Sequence, residues 1–162
     1  MKGVGSRGNT RDRKRTVGFR MVPAALYQRI RADQTIREAA ERLLSVQMHP
    51  MSDDDTDRGR RALLVFDGGG VFRGLIRAQD IVRVIVSEWR ASSEADAAAG
   101  VRIGDVVRPL PTIDVNATVM QAAARIAADG LSHLAVTRRG KLVGLLRPED
   151  LYQEVVSPGP AG

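Results

Sequence analysis

The sequence predicts an α/β protein built from two copies of one β-α-β-β-α unit. Three observations carry that expectation. "GLIRAQD" (74–80) returns as "GLLRPED" (144–150), with Gly, Leu, Arg and Asp in the same order and spacing. "TIREAAERLL" (35–44) returns as "TVMQAAARIA" (118–127), sharing Thr, two central Ala and Arg. In each copy, two short apolar runs joined by a Gly-containing turn lie between these motifs, which is the pattern of a hairpin.

Each copy opens on a related lead-in, "VGFRMVP" (17–23) and "IGDVVRP" (103–109), followed by an extended stretch that supplies the first strand. A capped helix comes next. Thr35 with Glu38, and Thr118 with Gln121, fit the S/T-x-x-E/Q capping box, whose side chains satisfy backbone N–H groups left over at a helix start. Apolar residues then fall at helical spacing: Ile36, Ala39, Ala40, Leu43 and Leu44 in one copy, Val119, Ala122, Ala123, Ile126 and Ala127 in the other. The small Ala pairs let each helix lie close against a sheet.

The hairpins follow. "ALLVF" (62–66) turns through "DGGG" into "VFRGLI" (71–76), and "HLAVT" (133–137) turns through "RRGK" into "LVGLL" (142–146). A second helix closes each copy, about 78–90 and 148–156. Pro148 suits a first helical position, where its missing N–H costs nothing. Thr35 and Thr118 stand 83 residues apart but Gly74 and Gly144 only 70, so the first copy holds an insertion between helix and hairpin. It is "QMHPMSDDDTDRGR" (47–60), a polar, acid-rich loop. The expected organisation is a basic tail over 1–16, a first unit over 17–90, a linker over 91–100, a second unit over 101–156 and a short tail over 157–162. Each unit has a sheet face and helix stripes to bury, so the copies are expected to pack on each other.

Composition narrows the function classes. At 162 residues with 43% hydrophobic but only 4% aromatic residues, the core must be built from Ala, Val, Leu and Ile. No run approaches the roughly 18–20 apolar residues of a membrane span. No signal-peptide core is seen at the N-terminus, so the expectation is a cytoplasmic protein without membrane insertion. The chain has no cysteine, which excludes disulfides, thiolate metal sites and a cysteine nucleophile. Residues 1–20 hold seven Lys and Arg against one Asp, a net +6 that equals the formal charge of the whole chain. The basic character therefore belongs to a Gly-rich tail, which suits either a solvated leader or an arm touching nucleic acid or acidic lipid headgroups.

The stretch "IGDVVRPLPTIDVNATVMQAAARIAADGLSHLAVTRRGKLVGLLRPEDL" resembles a CBS domain along its length, and residues 17–90 resemble a second, more divergent copy. The resemblance implies two tandem CBS units packed about a pseudo-twofold axis as one Bateman module. It also implies a non-catalytic regulatory role, with AMP, ADP, ATP or S-adenosylmethionine held in clefts between the copies and the signal passed to an effector protein. Family members that bind nucleotides show Gly, two apolar residues, Ser or Thr, two free positions and Asp, with the Asp accepting the ribose hydroxyls. Asp80 and Asp150 match that Asp. The resemblance places Leu110 and Leu131 beside Asp80, and Ala24 beside Asp150, as apolar walls for the adenine. It further implies a homodimer, for which Val82, Ile85, Val86 and Trp89 form one stripe at helical spacing.

One departure from the family pattern stands in both copies. Arg77 and Arg147 replace the Ser or Thr. An oxygen-bearing N-cap is lost, typically worth about 0.5–2 kcal/mol. The guanidinium either reaches the phosphates of a ligand or pairs with Asp80 or Asp150 and fills the ribose position. Simpler roles compete throughout. An Asp in a first helical turn stabilises the helix dipole whatever its other duties. Trp89 and Tyr152 are ordinarily packing residues, with a subunit interface as the alternative. His133 reads as structural. His49 has no partner on recognised metal spacing, and "DDDTD" (53–57) lacks the ligand spacing of a calcium loop. "GGG" (68–70) lacks the Gly-Lys-Ser/Thr of a phosphate loop. No nucleophile–base or paired acid/base arrangement stands out, so an enzyme is not expected.

Overall fold

The computed structural model describes residues 15–47, 62–92 and 96–156. The basic segment 1–14, the acid-rich insertion 48–61 with His49 and "DDDTD", and the C-terminal 157–162 lie outside the described residues. In chain order the elements are α1 (Val17–Arg20), β1 (Gln28–Arg31), α2 (Ile36–Gln47), β2 (Ala62–Phe66), β3 (Phe72–Arg77) and α3 (Ala78–Ser92). Then come α4 (Ile103–Val106), β4 (Thr112–Asp114), α5 (Val119–Asp129), β5 (Leu134–Arg138), β6 (Lys141–Leu146) and α6 (Pro148–Val156).

These elements form two compact units. One comprises the described residues of 22–110, the other those of 15–21 and 111–156. The lead-ins are thus exchanged: each begins with a single helical turn that packs in the unit holding the other repeat's helices and hairpin. Ile103 of α4 is fully buried among Ile30, Ile36, Leu63 and Ile76, whereas Val17 of α1 is fully buried among Val115, Val119, Leu134 and Leu146. Backbone hydrogen bonds hold both arrangements. Ile36 N–H donates to Val101 O at 2.9 Å, and Val119 N–H donates to Arg15 O at 2.8 Å. The first N–H of each long helix has no partner within its own helix, and the lead-in carbonyl supplies one.

Within the unit of residues 22–110, β1 runs parallel to β2 and β2 antiparallel to β3, giving the order β1-β2-β3. In the other unit β4 runs parallel to β5, and β5 antiparallel to β6. The registers correspond residue for residue. Val65 faces Gly74 and Val136 faces Gly144, and each ladder shifts at the next residue, between Val65 and Phe66 and between Val136 and Thr137. The repeated Gly therefore marks a bulge. At Gly74 the demand is steric as well: φ is +149°, and a Cβ built there would lie 2.2 Å from Arg108 O. Only a residue without a side chain lets that backbone pass.

The hairpin turns differ in chemistry. In the first, Asp67 Oδ1 accepts from Gly69 N and Val71 N, both at 2.9 Å, so "GGG" is a turn closed on its own aspartate. In the second, Arg139 and Gly140 have φ of 51° and 75°, the left-handed pair of a two-residue turn that follows strand twist.

Both capping boxes form. Glu38 Oε2 accepts from Thr35 N at 2.7 Å, and Thr118 N donates to Gln121 Oε1 at 2.9 Å while Gln121 N donates back to Thr118 Oγ1 at 3.1 Å. The expected apolar faces hold except at their last residues. Leu44 is 59% exposed and Ala127 is exposed. At 100° per residue each sits about 80° from the first buried position, Ile36 or Val119, beyond the stripe that meets the sheet. Trp89 and Tyr152 also fall outside the core, at 62% and 60% exposure, which corrects the packing role expected of them.

Candidate functional site

In each unit the repeated motif delivers an Arg and an Asp to the same place, the junction of the last hairpin strand and the following helix. Arg77 is the last residue of β3 and Arg147 follows β6 directly. Three residues further on, Asp80 and Asp150 stand in the first turns of α3 and α6. A carboxylate at that third helical position can reach back to the backbone N–H before the helix, half of a capping box. Both do. Asp80 Oδ2 accepts from Arg77 N at 2.9 Å, and Asp150 Oδ2 accepts from Arg147 N at 2.8 Å. That bond serves the N–H of Arg77 or Arg147 itself, so it is the half of the box that survives the loss of the Ser or Thr oxygen.

The guanidinium then closes on the same carboxylate. Arg77 Nε donates to Asp80 Oδ2 at 3.0 Å and Nη2 to Oδ1 at 3.1 Å. In the other unit Arg147 Nε donates to Asp150 Oδ2 at 3.2 Å and Nη2 to Oδ1 at 3.0 Å. Of the two arrangements the sequence allows for these arginines, the structure adopts the pair with aspartate. Each is a fork on a carboxylate, the strongest geometry open to an Arg–Asp pair.

The two sites differ in accessibility. The Arg147 and Asp150 side chains are 17% and 2% exposed, whereas those of Arg77 and Asp80 are 25% and 22% exposed. Asp80 also has a second cation, Arg83 Nη1, at 3.5 Å from Oδ1. Sequence reasoning passed over Arg83, although its spacing of three residues from Asp80 on a helix is the signal for such a pair.

The remaining expected residues take these places. Ala24 is buried at the start of a 3₁₀ turn over Ala24–Leu26, and Leu110 is half-buried after α4. Leu131 follows Gly130, the left-handed C-cap of α5, and packs against the core of its unit. His133 is half-buried with Nδ1 at 3.1 Å from Ser132 Oγ. Among the described residues no group of three or more His, Asp or Glu is arranged to hold a metal ion. Among them, too, no helix is long and apolar enough to cross a membrane.

Residues 103–157 match the family model for the CBS domain. Those residues are a CBS domain. The matched segment begins with α4, so the CBS domain as a sequence unit includes a lead-in that packs in the other compact unit. No curated protein sequence matches the chain. Among solved structures, a CBS-domain protein of unknown function from Kribbella flavida is 24% identical, with 82% of this chain and 94% of that one covered and a TM-score of 0.58. CBSX2 in complex with AMP is 19% identical, with 88% and 97% covered and a TM-score of 0.64. The CBS domain of a bacterial CNNM/CorC family Mg2+ transporter in complex with ATP is 15% identical, with 90% of each chain covered and a TM-score of 0.65. The shared fold extends over both repeats, including the first, which the family model does not reach.

Proposed function

We propose that this CBS protein is a non-catalytic regulatory module that binds an adenosyl ligand at the carboxylate opening the second helix of a repeat. AMP, ADP, ATP and S-adenosylmethionine are the candidates. The observation that carries the reading is Asp80: a partly exposed carboxylate held at the start of α3, at the motif position that resembles the family's ribose acceptor. A carboxylate accepts without donating, so it suits two neighbouring hydroxyl donors. The AMP and ATP complexes among proteins of this fold support the ligand class. Signalling follows by population shift, with the ligand favouring one conformation that an effector protein reads.

The module is also proposed to act as a homodimer. Val82, Ile85, Val86 and Trp89 stand exposed along α3, an apolar stripe whose middle pair is flanked evenly by its ends. Such a stripe is self-complementary to an antiparallel copy about a twofold axis.

A second reading is favoured by one observation. Both carboxylates are already engaged by their own arginines, as an interaction scaffold with no ligand requires. Thermal denaturation with AMP, ADP, ATP, NAD and S-adenosylmethionine separates the two. A ligand at 100 times its Kd stabilises by about 2.7 kcal/mol, or roughly 5–10 °C for a chain of this size. A shift lost in Asp80→Ala supports the regulatory module. No shift with any of these ligands, together with a stable ligand-free dimer, supports the scaffold.

A further inference from the structure

We infer that Arg77 sets ligand specificity, admitting nucleoside di- and triphosphates and discriminating against nucleosides and other ligands without phosphate. The inference rests on the reading above, that Asp80 receives the ligand's sugar.

The argument is an acceptor count. A carboxylate offers about four acceptor positions. At Asp80, Oδ2 takes Arg77 N and Nε, while Oδ1 takes Arg77 Nη2 and Arg83 Nη1. A ribose diol brings two donors and needs two of those positions. The backbone bond from Arg77 N caps α3 and stays with the helix. The bonds that must give way are those of the guanidinium groups.

That exchange is unfavourable by itself. A fork in which both partners are charged is given up for hydrogen bonds from neutral hydroxyls, in which only the acceptor is charged. A displaced guanidinium also needs a new anion, since exposure of 25% leaves it partly desolvated at the site. Phosphate supplies that anion with matching fork geometry. Arg83 adds a second positive charge at the same carboxylate, so the local balance around Asp80 is one net positive charge. Adenosine brings nothing to compensate the displaced arginine. AMP brings one phosphate, and longer chains bring more charge and more reach.

The Asp150 site is the internal contrast. Its carboxylate is 2% exposed and Arg147 is 17% exposed, so its pair is sealed as part of the unit's structure. Specificity is therefore assigned to Arg77 and not to its repeat-equivalent.

The test is calorimetric titration of the full chain with adenosine, AMP, ADP and ATP, in the natural protein and in Arg77→Ser, Arg77→Lys and Arg147→Ser. Arg77→Ser restores the side chain of the family pattern and frees the carboxylate. The natural protein is expected to bind ATP at least a hundredfold more tightly than adenosine. Arg77→Ser is expected to bring that ratio below about tenfold, chiefly by weakening ATP binding on the scale of one charge-assisted bond to phosphate, with a smaller gain for adenosine. Arg77→Lys keeps the charge without the fork and is expected to keep the preference for ATP, and it reads the same question if the Ser variant folds poorly. Arg147→Ser is the stability contrast: it is expected to lower Tm, as loss of a buried partner does, without collapsing the ATP-to-adenosine ratio. An unaltered ratio in Arg77→Ser, or equal weakening of all four ligands, overturns the specificity role while leaving nucleotide binding intact. No binding of any ligand to any of the four proteins overturns the inference and the adenosyl reading together.

Discussion

Arg147 and Asp150 are joined by three hydrogen bonds of 2.8–3.2 Å in a place where the aspartate side chain is 2% exposed. Arg77 and Asp80 repeat those bonds with the aspartate 22% exposed. The same local chemistry thus stands in two dielectric settings, and the difference decides what each pair contributes. Removing one partner of a buried pair strands a charge and costs about 3–5 kcal/mol, while a more exposed pair is worth about 0–1 kcal/mol.

Arg147→Ala is therefore expected to lower Tm by about 6 °C or more, at roughly 2–4 °C per kcal/mol for a chain of this size. Arg77→Ala is expected to lower it by no more than about 4 °C. Differential scanning calorimetry of the two variants measures both values. Equal losses would mean that the two pairs share one environment.

Gly74 supplies a second stability prediction. A Cβ there would meet Arg108 O at 2.2 Å and Val107 Cγ2 at 2.8 Å, on a backbone with φ of +149°. Gly74→Ala must displace the chain at 107–108 or flatten the bulge, and about 2–4 kcal/mol of destabilisation is expected. Gly68→Ala is the control, since nothing lies within 4 Å of its Cβ position, and a change within about 0.5 kcal/mol is expected. Urea denaturation midpoints of both variants check the contrast.

The helix caps make a pH prediction. The Thr35 backbone N–H, helped by the Gln34 side chain, holds the Glu38 carboxyl below its ordinary value of 4.5. A depressed folded-state value means a contribution that is present above the unfolded value and lost as pH falls through the folded one. The α2 cap should therefore weaken below about pH 4.5, whereas the α5 cap, built on Gln121, has no group to titrate there. Amide chemical shifts followed on acidification are expected to move at Thr35 and not at Thr118. Glu38→Gln should abolish the movement. Parallel movement of both amides would show that the caps do not act separately.

Much of this was legible in the sequence, and what was not has a physical reason. Helices and hairpins are local: the Thr35 and Thr118 boxes, the 3.6-residue spacing and the Gly-containing turns each lie within a dozen residues. The exchange of lead-ins is not local. Val17 N–H donates to Ala117 O and Ile103 N–H to Gln34 O, bonds across long stretches of chain that no short pattern encodes. The arginines fall between these cases. Their spacing allows both pairing with aspartate and reaching for phosphate, because the choice is one of side-chain rotamer. Exposure depends on tertiary surroundings too, which is why Trp89 read as a packing residue and stands at the surface.

That surface leads to the last prediction. Val82, Ile85, Val86 and Trp89 are 57%, 43%, 38% and 62% exposed on α3, an apolar run that a monomer would leave in water. Covering the half that each of these side chains still exposes contributes on the order of 1 kcal/mol apiece, and the eight of a twofold interface together oppose the entropy cost of association. Sedimentation equilibrium of the natural chain is expected to report a dimer. Val86→Glu and Trp89→Glu place a charge in the middle and at the end of the stripe, and both are expected to give monomers with unchanged far-ultraviolet circular dichroism. Neither residue is buried within its own unit, so loss of fold should not accompany loss of the dimer. A natural chain that stays monomeric up to roughly 100 μM would remove α3 as a self-association face and leave its apolar stripe to a different partner.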